Sequence, residues 1–372
     1  MIRRYFTMTF ALLFLWHAPP LRAAERKGGS ESDWEKTVDA AKKEGKLSVY
    51  FWQGGNLEKA IQAFQKKYPE IQLSAVGGRG SSFVVRITTE MRAGKYLADI
   101  CICGVTSPYA VLHQKANALE SVKAAFMLPE VIDESKWWEG KHHYQDPERQ
   151  FIFAFWGRPA ATRVAYNTKQ INPGDFKSYW DLVQPRWKGK IVSVDPIESA
   201  GGWRGLYYKP GLGEKFLRQF FAEMDATMIR EDRQGVDWLA TGRFSLGLFL
   251  TQIPEAKGQG LTVDEFLDSN FKEPPNMDTG PNGTIALMKQ APHPNAAKVF
   301  INWFLSREGQ TTYQEIMNTR FDYVESMRED IPKDAIPVEY RRRKGIKYIP
   351  MFIPEHMDAE PVVKLYKEVT KR

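Results

Sequence analysis

Two short segments rich in glycine and serine are candidate binding loops for an anion. Gly78-Arg79-Gly80-Ser81-Ser82 and Ser199-Ala200-Gly201-Gly202 each lie between a predicted strand and a predicted helix. Glycine lets backbone N–H groups approach an anion, serine hydroxyls add donors, and the following helix directs its positive end at the site. Arg79 would add a charge-assisted hydrogen bond to a carboxylate, phosphate or phosphonate group. The alternative for each loop is an N-capped helix behind a tight turn, which needs no ligand.

Further candidate contacts lie in loops at the carboxyl ends of predicted strands, where open α/β sheets bind their ligands. Arg158 and Arg233 are other cations near such loops. Tryptophans in these loops would form apolar walls, although this residue is more often part of a core. The predicted ligand-binding residues are Trp52, Gln53, Arg79, Ser81, Ser82, Thr106, Ser107, Ser199, Gly201, Gly202 and Trp203.

The short motifs of common hydrolases and nucleotide-binding enzymes are missing from the sequence. It contains no Gly-x-Ser-x-Gly, no His-Glu-x-x-His and no Gly-x-x-x-x-Gly-Lys-[Ser/Thr]. The side chains of the adjacent pair His142-His143 diverge because neighbours on a chain point apart, which favours a solvated loop over a metal site. His113, His293 and His356 are predicted as capping or surface residues. We therefore predict no catalytic residues, metal or cofactor, with a secreted enzyme as the alternative.

The two cysteines, Cys101 and Cys103, lie two residues apart in a predicted strand. Side chains at this spacing point to one face of the strand and stand well apart, which suits a disulfide poorly. We expect two buried thiols that act as small hydrophobic residues. A Cys-x-Cys redox or metal pair is the alternative.

The N-terminal residues predict a secretory signal peptide over residues 1–23. Met1-Ile2-Arg3-Arg4 is a positive n-region, Phe6 to Trp16 is an apolar stretch, and Leu21-Arg22-Ala23 offers a cleavage site. A membrane anchor is the alternative, but the stretch is shorter than the roughly 20 apolar residues that a span needs. Removal of these residues lowers the formal charge from +7 to +4.

The small positive charge and the predicted export together argue against nucleic acid as a partner. We expect an exported protein, and we expect the basic run Arg341-Arg342-Arg343-Lys344 to be a solvated face.

Apolar strand patterns alternate with amphipathic helical patterns along most of the chain, which is typical of α/β folds with mostly parallel sheets. Phe151–Phe155 and Ala161–Tyr166 are predicted as paired strands. The other predicted elements are strands at Lys46–Trp52, Ile71–Val76, Asp99–Gly104, Gly189–Asp195, Thr227–Ile229, Phe244–Thr251 and Gly283–Met288, and helices at Leu57–Tyr68, Phe83–Ala93, Glu214–Asp225, Gln234–Thr241, Pro294–Ser306, Gln310–Met317 and Val362–Lys371.

Several stretches, in this order, resemble the periplasmic solute-binding proteins of ABC importers, in the branch that includes ferric-iron binding proteins. The stretches cover nearly all of the chain after the signal peptide: Glu44 to Tyr50, Phe64 to Pro69, Ala98-Asp99-Ile100, Val164 to Thr168, Trp187 to Ile191 with Asp195-Pro196, Ala291-Pro292-His293-Pro294-Asn295-Ala296-Ala297-Lys298, and Asn302 to Gln310.

The resemblance implies two α/β lobes, each a mostly parallel sheet flanked by helices, with a ligand cleft between them that closes by a hinge. It places lobe 1 at residues 24–150 with 280–325 returning to it, and lobe 2 at 151–279 with 326–372 associated. It also implies a small-molecule solute and an ABC permease in the inner membrane as partners. We expect a monomer.

The ligand implied by the ferric branch is not supported by the loops of this chain. Where ferric members have a histidine, an acid and adjacent tyrosines, this sequence has Gln53-Gly54-Gly55, Gly104-Val105-Thr106 and Leu250-Thr251-Gln252. A ferric ion needs anionic oxygen ligands, which these residues do not supply. We therefore predict a small, polar, anionic solute. Ferric capture with a synergistic anion, using Tyr50, Tyr207 or Tyr208, is the alternative.

Overall fold

The computed structural model describes residues 31–53, 56–78, 82–104, 108–159, 163–279, 283–319 and 323–371. The strands are β1 Lys46–Trp52, β2 Gln72–Gly78, β3 Ile100–Cys103, β4 Leu119–Glu120, β5 His143–Tyr144, β6 Ile152–Ala154, β7 Arg158–Pro159, β8 Val164–Asn167, β9 Ile191–Val194, β10 Thr227–Ile229, β11 Leu246–Leu248, β12 Val263–Glu265, β13 Asn276–Asp278, β14 Thr284–Met288 and β15 Ile349–Pro350. The helices are α1 Glu31–Glu44, α2 Leu57–Lys67, α3 Ser82–Arg92, α4 Pro129–Ile132, α5 Gly201–Tyr207, α6 Gly213–Glu223, α7 Asp232–Ala240, α8 Ile253–Gly258, α9 Pro294–Leu305, α10 Arg307–Met317 and α11 Glu360–Thr370.

The first lobe is built on a sheet with the strand order β2-β1-β3-β14-β6-β5, and β4 pairs with β14. β1 is parallel to β2 and β3, whereas β14 is antiparallel to β3 and β6. Helix α2 covers this sheet because its buried residues, Leu57, Ala60, Ile61 and Phe64, recur at the spacing of one helical face. The most deeply buried helix of this lobe is α9, in which most residues are inaccessible to solvent.

The second lobe has the strand order β10-β9-β11-β8-β12. β9 is parallel to β10 and β11, and β8 is antiparallel to β11 and β12. Helices and sheets therefore alternate in both lobes, and the predicted two-lobed α/β class is confirmed. The prediction of mostly parallel sheets is wrong, because among the described strands antiparallel pairs outnumber parallel ones in the first sheet and equal them in the second. The carboxyl ends of β9 and β11 lie side by side because these strands are parallel neighbours, so the segments that follow them meet at one edge of the sheet.

A third, small sheet joins the lobes, with the strand order β15-β13-β7. The chain leaves the first lobe through β7, returns through β13, and crosses again through β15 before α11 packs on the second lobe. Val362 and Leu365 of α11 belong to the second hydrophobic core. We call these three strands the hinge sheet.

The lobe boundaries differ from the predicted ones at two places. β6 pairs with β5 and β14, so residues 152–154 belong to the first lobe and not to the second. The predicted pairing of Phe151–Phe155 with Ala161–Tyr166 is wrong, because β8 pairs with strands of the second lobe. Met327, Tyr348 and Phe352 lie in the first hydrophobic core, so α11, and not the whole of 326–372, lies on the second lobe.

Cys101 and Cys103 are joined by a disulfide, with their Cα atoms 5.9 Å apart, and both are buried. The prediction of two free thiols is therefore wrong. The Cα separation lies within the usual range for a disulfide. The bond lies at the end of β3, in the core that also contains Tyr50 and Phe83.

The prediction that the basic run at 341–344 is a solvated face is also wrong. The guanidinium of Arg342 is fully buried and lies 3.4 Å from the Glu325 carboxylate. Arg343 lies 3.2 Å from Asp268 of the second lobe. Lys344 is exposed. The run therefore anchors the C-terminal segment to both lobes.

The two histidines at 142 and 143 are buried, with 3% and 8% of their surfaces exposed, and the predicted solvated loop is wrong. His142 Nε2 lies 2.9 Å from the Val131 carbonyl oxygen, and His143 Nε2 lies 2.9 Å from that of Trp138. His293, in contrast, joins the start of α9 to β3, because Asp99 accepts hydrogen bonds from its backbone N–H at 2.7 Å and its ring at 2.9 Å.

Candidate solute-binding pocket

A cavity of about 210 Å³ lies between the edge of the second lobe and the hinge sheet. It is bounded by the segments after β9 and β11, by α5, and by β13 with the chain just before it. The side chains and backbone that line it carry both charge signs. They are Arg163, Tyr179, Ser199, Gly201, Gly202, Arg204, Gly205, Leu206, Lys209, Phe249, Thr251, Asp268, Glu273, Pro275, Asn276, Asp278 and Met351.

One end of the pocket is formed by Ser199, Gly201, Gly202, Arg163 and Thr251, and we call it the anion end. Ser199 and Gly201 are exposed to solvent. The guanidinium of Arg163 makes no ion pair with any residue in the described part of the chain. This end therefore combines an unpaired cation with a hydroxyl and backbone N–H groups, which are donors that an anion can use.

Thr251 is held in place by the carboxylate of Asp232, at the start of α7. The carboxylate accepts the Thr251 hydroxyl at 2.6 Å and its backbone N–H at 3.0 Å, and also the backbone N–H of Gln252 at 3.2 Å. These bonds fix the turn after β11. The Thr251 hydroxyl donates its proton to Asp232, so the lone pairs of its oxygen can still accept a hydrogen bond from a ligand or water.

Phe249 forms an apolar wall of the pocket in an unusual backbone conformation. Its φ angle of 64° lies in the left-handed region, which costs a non-glycine residue free energy and often marks a functional site. Its N–H donates to the Arg163 carbonyl oxygen at 2.6 Å, and its ring packs against Trp203 at a centroid distance of 4.7 Å. A Cβ atom added to Gly202 would come within 2.0 Å of this ring.

Substitution of Gly202 by alanine is therefore expected to displace Phe249 and to lower the free energy of unfolding by about 1–3 kcal/mol, the usual cost of overpacking. Gly201→Ala is the matched control, because an added Cβ there meets no atom within 4 Å. Chemical denaturation of the two variants measures the difference. Equal stability of both would contradict the close packing of Phe249 on Gly202.

The other end of the pocket lies against the hinge sheet, and we call it the hinge end. It contains Arg204, Lys209, Asn276 and Asp278. Lys209 is buried and donates to the Pro274 carbonyl oxygen at 2.6 Å and to Asn276 Oδ1 at 3.0 Å. Burial lowers the pKa of Lys209 to about 8, against the opposing charge of nearby carboxylates.

Asp268 and Glu273, whose carboxylates line the pocket, are held by contacts within the structure. Asp268 lies 3.2 Å from the Arg343 guanidinium. Glu273 accepts hydrogen bonds from the Ser178 hydroxyl at 2.5 Å and from the Tyr179 backbone N–H at 3.2 Å. The negative charges of Asp268 and Glu273 therefore hold the local structure together. At the anion end, no residue in the described ranges forms an ion pair with Arg163.

Comparison with known proteins identifies the family of this two-lobed chain. A sequence profile of the bacterial extracellular solute-binding proteins matches residues 53–311, which is more than half of the chain. The chain belongs to this family. An uncharacterised protein of Haemophilus influenzae is 25% identical over 286 residues, which cover 73% of this chain and 76% of that protein.

Solved structures of such binding proteins share the fold. The ferric binding protein of Campylobacter jejuni aligns with a TM-score of 0.62 at 17% identity and covers 87% of this chain and 99% of its own. The periplasmic binding protein AfuA of Actinobacillus pleuropneumoniae, with exogenous fructose-6-phosphate bound, aligns with a TM-score of 0.56 at 17% identity and covers 88% of this chain and 98% of its own. The resemblance predicted from the sequence is confirmed.

Membership of the solute-binding family implies a periplasmic location, a small-molecule ligand and an ABC permease as partner. The family and its solved neighbours are binding proteins and not enzymes, in agreement with the prediction. No helix in the described part of the chain is long and apolar enough to cross a bilayer. The predicted signal peptide, residues 1–23, lies outside the described residues.

Three predicted ligand-binding residues of this solute-binding protein, Ser199, Gly201 and Gly202, line the pocket. Trp203 does not line it: its side chain is fully buried in the core of the second lobe, and its Nε1–H donates to the Val194 carbonyl oxygen at 2.9 Å. The predicted apolar wall is supplied by Phe249 instead.

The other predicted contacts belong to the first lobe. Trp52 and Gln53 lie at the carboxyl end of β1, where the Gln53 backbone N–H donates to the Gly78 carbonyl oxygen at 2.7 Å. Trp52 is half-buried. Ser82 begins α3. Arg79, Ser81, Thr106 and Ser107 lie outside the described residues.

The hinge-end residues and Arg163 were not predicted as contacts. Of the two other arginines predicted near the binding loops, Arg233 is exposed and pairs with Asp237 at 3.1 Å, and Arg158 lies in β7. Thr251 lies in Leu250-Thr251-Gln252, the segment that stands where ferric members have adjacent tyrosines. The only feature of the sequence that points to Asn276 and Asp278 is their position just before residue 280, where the chain is predicted to return to lobe 1.

The tyrosines considered for ferric capture are engaged elsewhere. Tyr50 is buried in the first lobe and donates to the Glu90 carboxylate at 3.0 Å. Tyr208 donates to the Asp358 carbonyl oxygen at 3.0 Å. Neither Tyr207 nor Tyr208 lines the pocket. Among the residues that the structure describes, no group of three or more histidine, cysteine, aspartate or glutamate side chains is placed to hold a metal ion.

Proposed function

We propose that this protein captures a small polar solute with an anionic group of the carboxylate, phosphate or phosphonate type, closes around it by the hinge, and delivers it as a monomer to its permease. The observation that carries the proposal is the guanidinium of Arg163, which forms no ion pair with a described residue and lines the pocket together with Ser199 and the backbone of Gly201 and Gly202. A charge-assisted hydrogen bond to an anion is shorter and stronger than one between neutral groups.

The hinge gives the pocket a way to respond to its ligand. The solute would contact residues of the second lobe and of β13, a strand that crosses between the lobes. A closed form is favoured when the ligand gains contacts from both lobes. The predicted loops of the first lobe, with Arg79, Ser81, Ser82, Thr106 and Ser107, would supply the second set of donors.

The solved neighbours point to two kinds of ligand, iron and a sugar phosphate. The donor set at the anion end supports the second kind, because an arginine, a hydroxyl and N–H groups suit a phosphate oxygen and repel a cation. Ferric ion needs anionic oxygen ligands. None of the tyrosines considered for such a role lines the pocket.

Isothermal titration calorimetry of the natively purified protein with fructose 6-phosphate and with inorganic phosphate tests the proposal. Arg163→Ala is expected to weaken binding by about ten-fold or more, since a hydrogen bond to a charged group contributes roughly 1.5–3 kcal/mol. Arg233→Ala is the matched control, because it removes the same charge outside the pocket. Equal affinity of the two variants, or a visible tyrosinate band on addition of ferric ion, would contradict the anionic solute.

A further inference from the structure

Thr251 offers a solute a hydrogen-bond acceptor at the anion end of the pocket, beside the donors already described there. It is exposed and lines the pocket. Its hydroxyl donates to the Asp232 carboxylate at 2.6 Å. A hydroxyl has one proton and two lone pairs, so while this bond is made the Thr251 oxygen can only accept a hydrogen bond from a solute.

The proton of this hydroxyl is held firmly. A separation of 2.6 Å lies in the range of short, charge-assisted O–H···O⁻ bonds, which are stronger than bonds between neutral groups. The same carboxylate accepts the backbone N–H groups of Thr251 at 3.0 Å and Gln252 at 3.2 Å, which fixes its orientation. Asp232 is not among the residues that line the pocket, so a solute meets the Thr251 oxygen and not the carboxylate.

The turn that carries Thr251 is fixed by its neighbours in the chain. Leu250 is buried in the core of the second lobe, with 1% of its surface exposed. The Phe249 N–H donates to the Arg163 carbonyl oxygen at 2.6 Å, which also ties Arg163 to this turn. The Thr251 oxygen is therefore held in position, and turning its proton toward a solute would break the bond to Asp232.

The donors and the acceptor of the anion end make different demands on an oxyanion. The Arg163 guanidinium and the Ser199 hydroxyl can donate to ionised oxygens. A fully ionised group has only acceptor oxygens, so it sets an acceptor beside Thr251 with no proton between them. An anion that keeps one proton meets both demands, because its ionised oxygens accept from Arg163 and Ser199 and its O–H donates to Thr251. An unpaired polar contact of this kind is a basis for rejecting the wrong ligand.

Oxyanions differ in whether they carry such a proton near neutral pH. A phosphate monoester has a second pKa of about 6, so close to half of it is singly protonated at that pH. Phosphonates hold the second proton more tightly. Carboxylic acids ionise at about pH 4, and sulfate and sulfonate groups are fully ionised at pH values below that.

We propose that the anion end binds a phosphate or phosphonate group that carries one proton, with Thr251 as a specificity-determining residue and Asp232 as a positioning residue that fixes its hydroxyl. This inference rests on the proposed function and narrows its three kinds of anionic group to two. Carboxylates, sulfates and sulfonates are rejected because they bring no proton to Thr251.

Calorimetric titration of the native protein at pH 6 with methylphosphonate, methanesulfonate and acetate tests the inference, because each probe joins one methyl group to a different head group. Methylphosphonate is expected to bind at least about ten-fold more tightly than either other probe, which is the scale of one hydrogen bond to a charged group. A smaller preference, or none, overturns the selection of a protonated anion and leaves the anionic solute supported. If none of the three probes binds, both proposals fail.

Substitutions separate this role of Thr251 from a merely structural one. Asp232→Asn offers an amide N–H to the Thr251 oxygen and releases its proton for a solute, so the ratio of the methylphosphonate and methanesulfonate affinities is expected to fall to about two-fold or less. Thr251→Ser keeps the hydroxyl and is expected to keep the native ratio. Asp237→Asn removes the same charge from an exposed position of α7 and controls for charge alone, with the ratio unchanged. A native ratio in Asp232→Asn would show that the carboxylate does not set the selectivity.

Discussion

Replacement of Arg342 by methionine is expected to lower the free energy of unfolding by about 3–5 kcal/mol, the range seen when one partner of a buried ion pair is removed. The Arg342 guanidinium is fully buried and donates to the carbonyl oxygens of Gly157, Glu325 and Ser326. The Glu325 carboxylate, which is 5% exposed at its side chain, would keep only Lys333 as an ion-pair partner among the described residues.

Urea denaturation of the variant and of Lys344→Met measures this effect. Lys344 belongs to the same basic run but is exposed, so its loss is expected to change the unfolding free energy by at most about 0.5 kcal/mol. The two variants remove the same charge from the same segment. A similar stability for both would show that the buried contacts of Arg342 contribute little.

Acidification is expected to destabilise the fold between about pH 6.5 and pH 4, because burial lowers the pKa of both His142 and His143 to about 4. The unfolded chain takes up these protons at a higher pH than the folded one does, so stability falls as the pH falls through this window and levels off below it. Glu134 lies 3.6 Å from His142 Nδ1 and opposes the shift, but desolvation is the larger effect.

Each pKa unit corresponds to about 1.4 kcal/mol, so each histidine is expected to account for roughly 3 kcal/mol once it is fully protonated. The measurement is the unfolding free energy at pH 7 and pH 4.5 for the native protein, His142→Asn and His143→Asn. Each variant lacks one titrating group and is expected to show a smaller loss on acidification than the native chain. An identical loss in all three would show that other groups control the acid response.

The alternation of apolar strands and amphipathic helices was enough to predict the α/β fold class, because the spacing of apolar residues within each element shows which of its faces is buried. The loop Ser199-Ala200-Gly201-Gly202 could also be predicted, since its glycines and serine follow a buried strand. Trp203, one residue further, could not be assigned correctly: a strand-to-helix loop does not show which of its side chains turns inward, and this indole is held by the Val194 carbonyl oxygen.

The errors have a common physical origin in contacts between distant parts of the chain. Arg342 was predicted as solvated because a run of basic residues is usually exposed, and its burial depends on Glu325 and on the backbone of Gly157. The hinge end was missed for the same reason. Arg204 and Asp278 belong to separate segments, and they line one cavity because the hinge sheet brings β13 beside α5.

The position of β14 in the first sheet sets an order of assembly. β14 lies between β3 and β6, so the central pairing of Ile285 with Ile102 joins residues that are far apart along the chain. Most of the second lobe's core comes from the continuous segment between these two parts of the first sheet. Contacts of such long sequence separation form slowly, because the intervening chain must first be closed into a loop. We therefore expect the second lobe to fold first. The first lobe would complete its native sheet only after β14 has inserted between β3 and β6.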